Sequence, residues 1–156
     1  AVGKKYGGQT FEDRLRIFRE RMNEKARRIG LADSSFVNAT GLDEEDHFST
    51  AEDLTRLAEY VKNNDLKIWE ISRTLETKIY TGSGLEIVLT NTNKLLEEFP
   101  AVLGGKTGFT DNAGESLLFL YPVRPDKTAI IVILGSKDRF EDGRKIIRWL
   151  EETFND

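Results

Sequence analysis

The chain has no cysteine, a single histidine and only three prolines among its 156 residues. The absence of cysteine excludes disulfides and thiolate metal sites. It leaves the compartment open, because secreted proteins can also do without cysteine. An excess of positive charge is missing too: 23 Lys and Arg stand against 27 Asp and Glu, a net charge of -4. That balance argues against nucleic acid or anionic lipid as a partner held by bulk charge. No apolar run approaches the roughly 20 residues a bilayer-spanning helix needs, so no membrane span is expected. The chain opens at Ala1 with neither an initiator methionine nor a secretory leader, as a processed or excised piece would.

What is present is a charge-rich chain with 38% hydrophobic residues, long enough to form one domain over 1–156 with a buried core. Phe11, Leu15, Phe18, Met22, Ala26 and Ile29 recur at steps of three or four and predict one apolar helix face, with Gly30 as its stop. The arginines of that helix, Arg14 to Arg28, are interleaved with Glu and Asp, which favours a solvated face over a nucleic-acid-binding one. Residues 32–48 read as an ordered loop, followed by Ser49-Thr50-Ala51-Glu52 as a capping box. The helix after it presents Leu54, Leu57, Ala58 and Val61, and a short helix is expected near Ile68, Trp69 and Ile71.

The pattern then changes. Segments 76–81 and 85–90 flank Gly82-Ser83-Gly84 and predict a β-hairpin. Segments 117–121 and 129–134 flank a 122–127 loop and predict a second, with 130–134 apolar enough to be covered on both faces. Ile146, Ile147, Leu150 and Phe154 mark a closing helix. Helices, then strands, then a helix predict an α+β fold with a mainly antiparallel sheet.

The segment richest in chemistry is Gly104-Gly105-Lys106-Thr107-Gly108-Phe109-Thr110-Asp111. Lys-Thr-Gly is one of three motifs that build the active site of penicillin-binding proteins and serine β-lactamases. Alone it is a weak signal, but its surroundings are not. Met22-Asn23-Glu24-Lys25-Ala26, Phe36-Val37-Asn38, Gly41-Leu42-Asp43, the run from His47 to Leu54, Asn91-Thr92-Asn93-Lys94-Leu95-Leu96 and Arg139-Phe140-Glu141-Asp142 follow one another in order. In this the chain resembles the D-alanyl-D-alanine carboxypeptidases, the low-molecular-mass penicillin-binding proteins, from about residue 6 to about 154. The other two motifs are absent: no lysine has Ser, Thr or Cys three places before it, and no serine is followed two places later by Asn.

The resemblance implies a partial β-lactamase/transpeptidase-like fold, corresponding to the C-terminal part of the catalytic domain without its N-terminal strands and nucleophile helix. It implies a serine-type carboxypeptidase acting on peptidoglycan stem peptides, inhibited by β-lactams, located outside the cytoplasm and needing no cofactor or metal. By the same resemblance Lys106 assists proton transfer and faces the substrate carboxylate, Thr107 donates to that carboxylate, and Gly108 clears space for the substrate backbone. The Phe109 N–H serves the oxyanion hole. Arg139 is a candidate to help hold a carboxylate, although an exposed residue at the start of a helix is the favoured reading. His47 tempts assignment as a general base, but the motif places it before a helix in a structural role. Ser49 reads as a cap, and the acidic run from Asp43 to Asp46 reads as a solvated loop rather than a cation site.

On this reading the chain alone is inactive. Two alternatives stay open: a non-catalytic binding or self-associating module that covers an exposed sheet edge, and a site completed by an N-terminal segment supplied by another chain.

Overall fold

A computed structural model describes residues 2–154. After the short helix α1 (Val2–Lys5), helix α2 runs over Phe11–Arg28. Thr10 caps α2 through a reciprocal pair with Asp13, whose carboxyl is held below its ordinary range chiefly by the Thr10 backbone N–H. Its end is a Schellman turn: Leu31 N–H reaches the Ala26 carbonyl at 3.0 Å and Gly30 N–H reaches Arg27 at 3.1 Å, with Gly30 at φ +81. The periodicity located this helix correctly, but its apolar face is largely open. Only Ala26 is buried, while Phe11 and Leu15 remain 68% and 52% exposed.

Helix α3 (Ala51–Asn64) and helix α4 (Leu66–Ser72) follow the loop 32–48. The expected cap shifts by one residue. Thr50, not Ser49, accepts the N–H of Asp53 at 3.1 Å, while Ser49 bonds to Ser34 at 2.8 Å. Asp53, in the first turn of α3, is only 3% exposed and turns its carboxylate to the loop, where it takes the Asp33 N–H and the Ser34 hydroxyl at 2.8 and 2.6 Å.

Strands β1 (Glu76–Tyr80) and β2 (Glu86–Thr90) form the expected hairpin, a separate two-stranded sheet exposed along both strands. Helix α5 (Leu95–Glu98) leads into an antiparallel three-stranded sheet ordered β3 (Gly104–Thr110), β4 (Gly114–Arg124), β5 (Lys127–Ser136). The second hairpin is therefore longer than expected: Pro122 sits in β4 opposite Thr128, and the turn shrinks to Pro125-Asp126. Helix α6 (Arg139–Phe154) closes the chain.

Alternation along β4 divides the core. Leu117, Phe119 and Tyr121 point toward α5 and α6, where Leu95, Phe140, Ile147 and Leu150 bury them. Leu118 and Leu120 point the other way, toward Ala58 of α3 and Trp69 of α4. Gly143 lets α6 lie close, because a Cβ there would stand 2.7 Å from Leu95 Cδ1. Strand β5 is covered on both faces, as expected, by α6 on one side and α3 on the other, and opens only at its end. Ile131 and Ile133 are buried, but Leu134 on the α3 side is 43% exposed. Among the described residues no helix is long and apolar enough to cross a membrane.

Candidate functional site

The residues of the Lys-Thr-Gly segment fall on β3, which pairs with β4 from Gly104↔Leu120 to Thr110↔Gly114 and ends the sheet on one side. Its start is fixed by close packing. A Cβ on Gly104 would lie 2.5 Å from both the Trp69 carbonyl oxygen and the Ser72 hydroxyl. Gly105 donates its N–H to Ser72 Oγ at 3.1 Å, away from β4. Strand alternation carries the backbone of Thr107 and Phe109 to that same free edge. The Lys106 ammonium folds back onto the Thr107 carbonyl there.

This edge borders an open cleft of about 1200 Å³ between α3, α4, the loop 41–49 and the outer face of the sheet. Its floor is apolar, with Leu57, Val61, Trp69, Leu118 and Val132 on it, and Lys106, Thr107, Gly108 and Phe109 line one side. Gly108 has no atom nearer than Ser116 Cβ, 3.8 Å from where its own Cβ would be. Its lack of a side chain is not required by packing within the chain. The Phe109 ring is 63% exposed.

Arg139, at the head of α6, reaches the same strand. Its guanidinium donates from Nη1 to the Gly108 carbonyl at 2.8 Å, its own N–H is taken by Glu115 Oε2 at 2.9 Å, and its Nε is buried without a partner. Asp138 caps that helix by accepting the N–H groups of Phe140 and Glu141 at 3.1 and 2.9 Å. The Glu141 N–H is the main reason its carboxyl lies below the ordinary range. The structure thus brings Lys106, Thr107, Gly108 and Phe109 to the side of the cleft, with Arg139 bonded to the Gly108 carbonyl of the same strand but not lining the cleft.

His47 also lines the cleft, but its ring serves the loop. Nδ1 accepts the N–H groups of Val37 and Asn38 at 3.1 and 3.4 Å, and the ring meets Phe36 edge-on at 6.0 Å. The acidic run is likewise employed in loop bonding: Asp43 accepts Thr110 Oγ1 at 2.6 Å and Glu44 accepts Asn38 Nδ2 at 3.0 Å. Ser72 and Thr92 were not singled out from the sequence. Ser72 holds the edge of β3 through Gly105, and the Thr92 hydroxyl meets the Thr107 hydroxyl at 2.7 Å. Thr92 lies within the Asn91-Thr92-Asn93 segment that carries part of the family resemblance, the one signal in the sequence that points to it.

A family model described as D-alanyl-D-alanine carboxypeptidase matches residues 11–138. The chain is 32% identical over 138 residues to the D-alanyl-D-alanine carboxypeptidase DacF of Bacillus subtilis, covering 88% of this chain and 35% of that protein. The Streptomyces K15 DD-transpeptidase superimposes with a TM-score of 0.83 at 29% identity, over 95% of this chain and 59% of that one. Penicillin-binding protein D2 of Listeria monocytogenes, in its cefotaxime-bound form, gives 0.74 at 30% identity over 92% and 59%. The chain therefore spans about a third of the curated relative and well under two thirds of either solved structure. It belongs to the D-alanyl-D-alanine carboxypeptidase family, with the α+β fold of the Streptomyces enzyme.

Proposed function

We propose that this chain forms the β3 wall of a serine-type D-alanyl-D-alanine carboxypeptidase site that acts on peptidoglycan stem peptides outside the cytoplasm. The observation that carries the reading is the placement of Lys106 and Thr107 on a free strand edge beside an apolar cleft, with Arg139 bonded to the Gly108 carbonyl of the same strand. A peptide ending in D-Ala-D-Ala lies along that edge. Its carboxylate is held by the Thr107 hydroxyl and the Arg139 guanidinium, because a carboxylate only accepts hydrogen bonds and both groups donate. Lys106 adds positive charge and assists proton transfer. Gly108 leaves the edge bare, and the Phe109 N–H donates to the oxyanion.

The reaction needs a serine whose oxygen attacks the penultimate carbonyl. D-alanine is expelled, an ester is left, and water then hydrolyses the ester. Among the described residues, no serine that lines the cleft has a lysine or histidine hydrogen-bonded to it as a base. Ser49 is bonded to Ser34, and Ser72 donates to the Trp69 carbonyl while accepting Gly105. The chain by itself is accordingly inactive, and β-lactams acylate only a protein that also carries the nucleophile.

Two measurements test this. Intact mass after incubation with a fluorescent penicillin is expected to show no adduct. A stoichiometric adduct would overturn the inactivity, and Ser49 and Ser72 would be mapped first. Titration with N-acetyl-D-alanyl-D-alanine, followed by amide chemical shifts, is expected to perturb Lys106, Thr107 and Phe109. Unmoved β3 amides at millimolar peptide would sink the assignment of the wall.

A further inference from the structure

We propose that Thr92 is a positioning residue: its hydroxyl donates to the Thr107 oxygen and so turns the Thr107 hydrogen outward, toward the carboxylate of an acyl-D-alanyl-D-alanine ligand. The inference rests on the function proposed above and adds to it a determinant of carboxylate selectivity.

The two hydroxyl oxygens lie 2.7 Å apart. Each hydroxyl has one hydrogen and can also accept, and only one hydrogen fits between them. The pair therefore has two arrangements. If Thr107 donates to Thr92, its hydrogen is spent and it presents only lone pairs to a ligand, which repel a carboxylate. If Thr92 donates, the Thr107 hydrogen is free, and the chain Thr92 to Thr107 to carboxylate runs in one direction. Each bond in such a chain polarises the next. A threonine side chain also chooses between rotamers, and a partner at 2.7 Å selects the one in which Oγ1 faces Thr92.

For this to work Thr92 itself must be held, and it is held from both sides. Asn91 donates its side-chain amide to the carbonyls of Ser72 and Thr74, both at 2.9 Å, and its backbone N–H to Leu75 at 2.8 Å. Its Oδ1 takes the N–H of Asn93 at 3.0 Å. Asn93 is 2% exposed, and its Oδ1 accepts Leu95 N–H at 3.2 Å at the start of α5. The Asn91 side chain and the Asn93 Oδ1 are bonded within the chain, while the Asn93 Nδ2 is buried without a partner, and Thr92 between them is left to face β3. Thr92 touches no part of the cleft where the reacting carbonyl would lie, so its effect passes through Thr107 alone.

The experiment is a binding comparison on the whole chain with two probes, N-acetyl-D-alanyl-D-alanine and its C-terminal amide, for the wild type, Thr92→Val and Thr92→Ser. Thr92→Val keeps the shape and removes the hydroxyl, and Thr92→Ser restores it. The wild type is expected to favour the acid. Thr92→Val should weaken the acid by about threefold to tenfold, because the Thr107 hydroxyl keeps its hydrogen but loses the donor that orients and polarises it, with the amide unchanged and Thr92→Ser close to wild type. Three-bond couplings to Thr107 Cγ2 should report one χ1 rotamer in the wild type and an average in Thr92→Val. A wild type that favours the acid, with Thr92→Val keeping that preference, overturns the role of Thr92 and spares the function proposed above. A wild type that binds neither probe overturns both. Averaged Thr107 couplings in the wild type overturn the positioning directly, whether or not the valine variant folds.

Discussion

Asp43 accepts the Thr110 hydroxyl at 2.6 Å across 67 residues of sequence, and its second oxygen takes the Asn112 N–H at 3.2 Å. Thr110 Oγ1 in turn accepts Ala113 N–H at 3.2 Å, so one carboxylate fastens the loop beside the cleft to the end of β3 and to the turn into β4. Asp43→Ala should cost about 1 kcal/mol, since these bonds are exposed and compete with water. Amide exchange should quicken at Asn112 while the β4–β5 ladder keeps its protection. Thr110→Val should cost a similar amount, and the double variant should lose less than the sum of the two, because the Asp43–Thr110 bond is counted in both while the Asn112 and Ala113 bonds belong to one each. Fully additive losses in urea unfolding would mean that the two side chains act independently.

Two glycines of β3 separate fold from function. Gly104 has φ +140, and a Cβ there would stand 2.5 Å from a backbone oxygen of Trp69, an atom that cannot swing aside. Gly104→Ala should destabilise the chain by about 3 kcal/mol, combining backbone strain with overpacking. Ser72→Ala should not rescue it, because the Trp69 contact remains. Gly108→Ala meets nothing nearer than 3.8 Å and should unfold within about 1 kcal/mol of wild type. If the methyl group occupies the path of the peptide backbone, that variant should instead lose the acetyl-D-alanyl-D-alanine titration. Equal stability losses at the two positions would refute this division.

The contrast shows what one sequence can carry. The α2, α3 and α6 helices were legible because apolar residues at helical spacing announce a face. The same spacing does not say what covers it, so Phe11 and Leu15 emerged exposed. Residues 122–127 read as the loop between two apolar segments, yet Pro122 sits in β4 beside a register shift between Pro122 and Arg124, where proline's missing N–H is tolerated. Lys106 to Phe109 and Arg139 were legible as chemistry through the motif they resemble. Their geometry was not, since the bonds from Arg139 to Gly108, Asp43 to Thr110 and Thr92 to Thr107 join residues 31, 67 and 15 positions apart. Local pattern constrains neighbours, whereas these contacts exist only once the sheet has brought its edge to the loops.

Tyr121 provides a stability test at high pH. Its ring is buried against α6, its hydroxyl donates to Glu151 at 2.5 Å, and burial, reinforced by that carboxylate, pushes its pKa up to about 12 from the ordinary 10.0. A raised folded-state value means that the folded chain holds the proton longer than the unfolded one. The contribution is complete below pH 10.0 and is lost as pH rises toward about 12. The loss over that window should be about 2–3 kcal/mol. Tyr121→Phe should remove this slope and cost about 1 kcal/mol at neutral pH through the missing bond. Urea midpoints at a series of pH values decide the matter: a variant with the wild-type alkaline slope would place the titration elsewhere.

The free edges of the sheet bear on how the chain behaves at high concentration. Strand β5 closes the three-stranded order with its outer side unpaired among the described residues, and Leu134 and Phe109 are 43% and 63% exposed near the cleft. Unpaired backbone donors and acceptors next to apolar side chains invite strand pairing between copies. The chain is expected to associate reversibly, with a sedimentation coefficient that rises with concentration and with binding of an apolar dye. The pairing should be weak, because an edge of this length buries less than the ~1,200 Å² typical of stable interfaces. Leu134→Lys puts a charge on the β5 edge and should suppress association with little effect on unfolding. A chain that sediments as a monomer at every concentration and leaves the dye dark would show that these edges are protected as they stand. Association undiminished in Leu134→Lys would move the contact to the open face of α2.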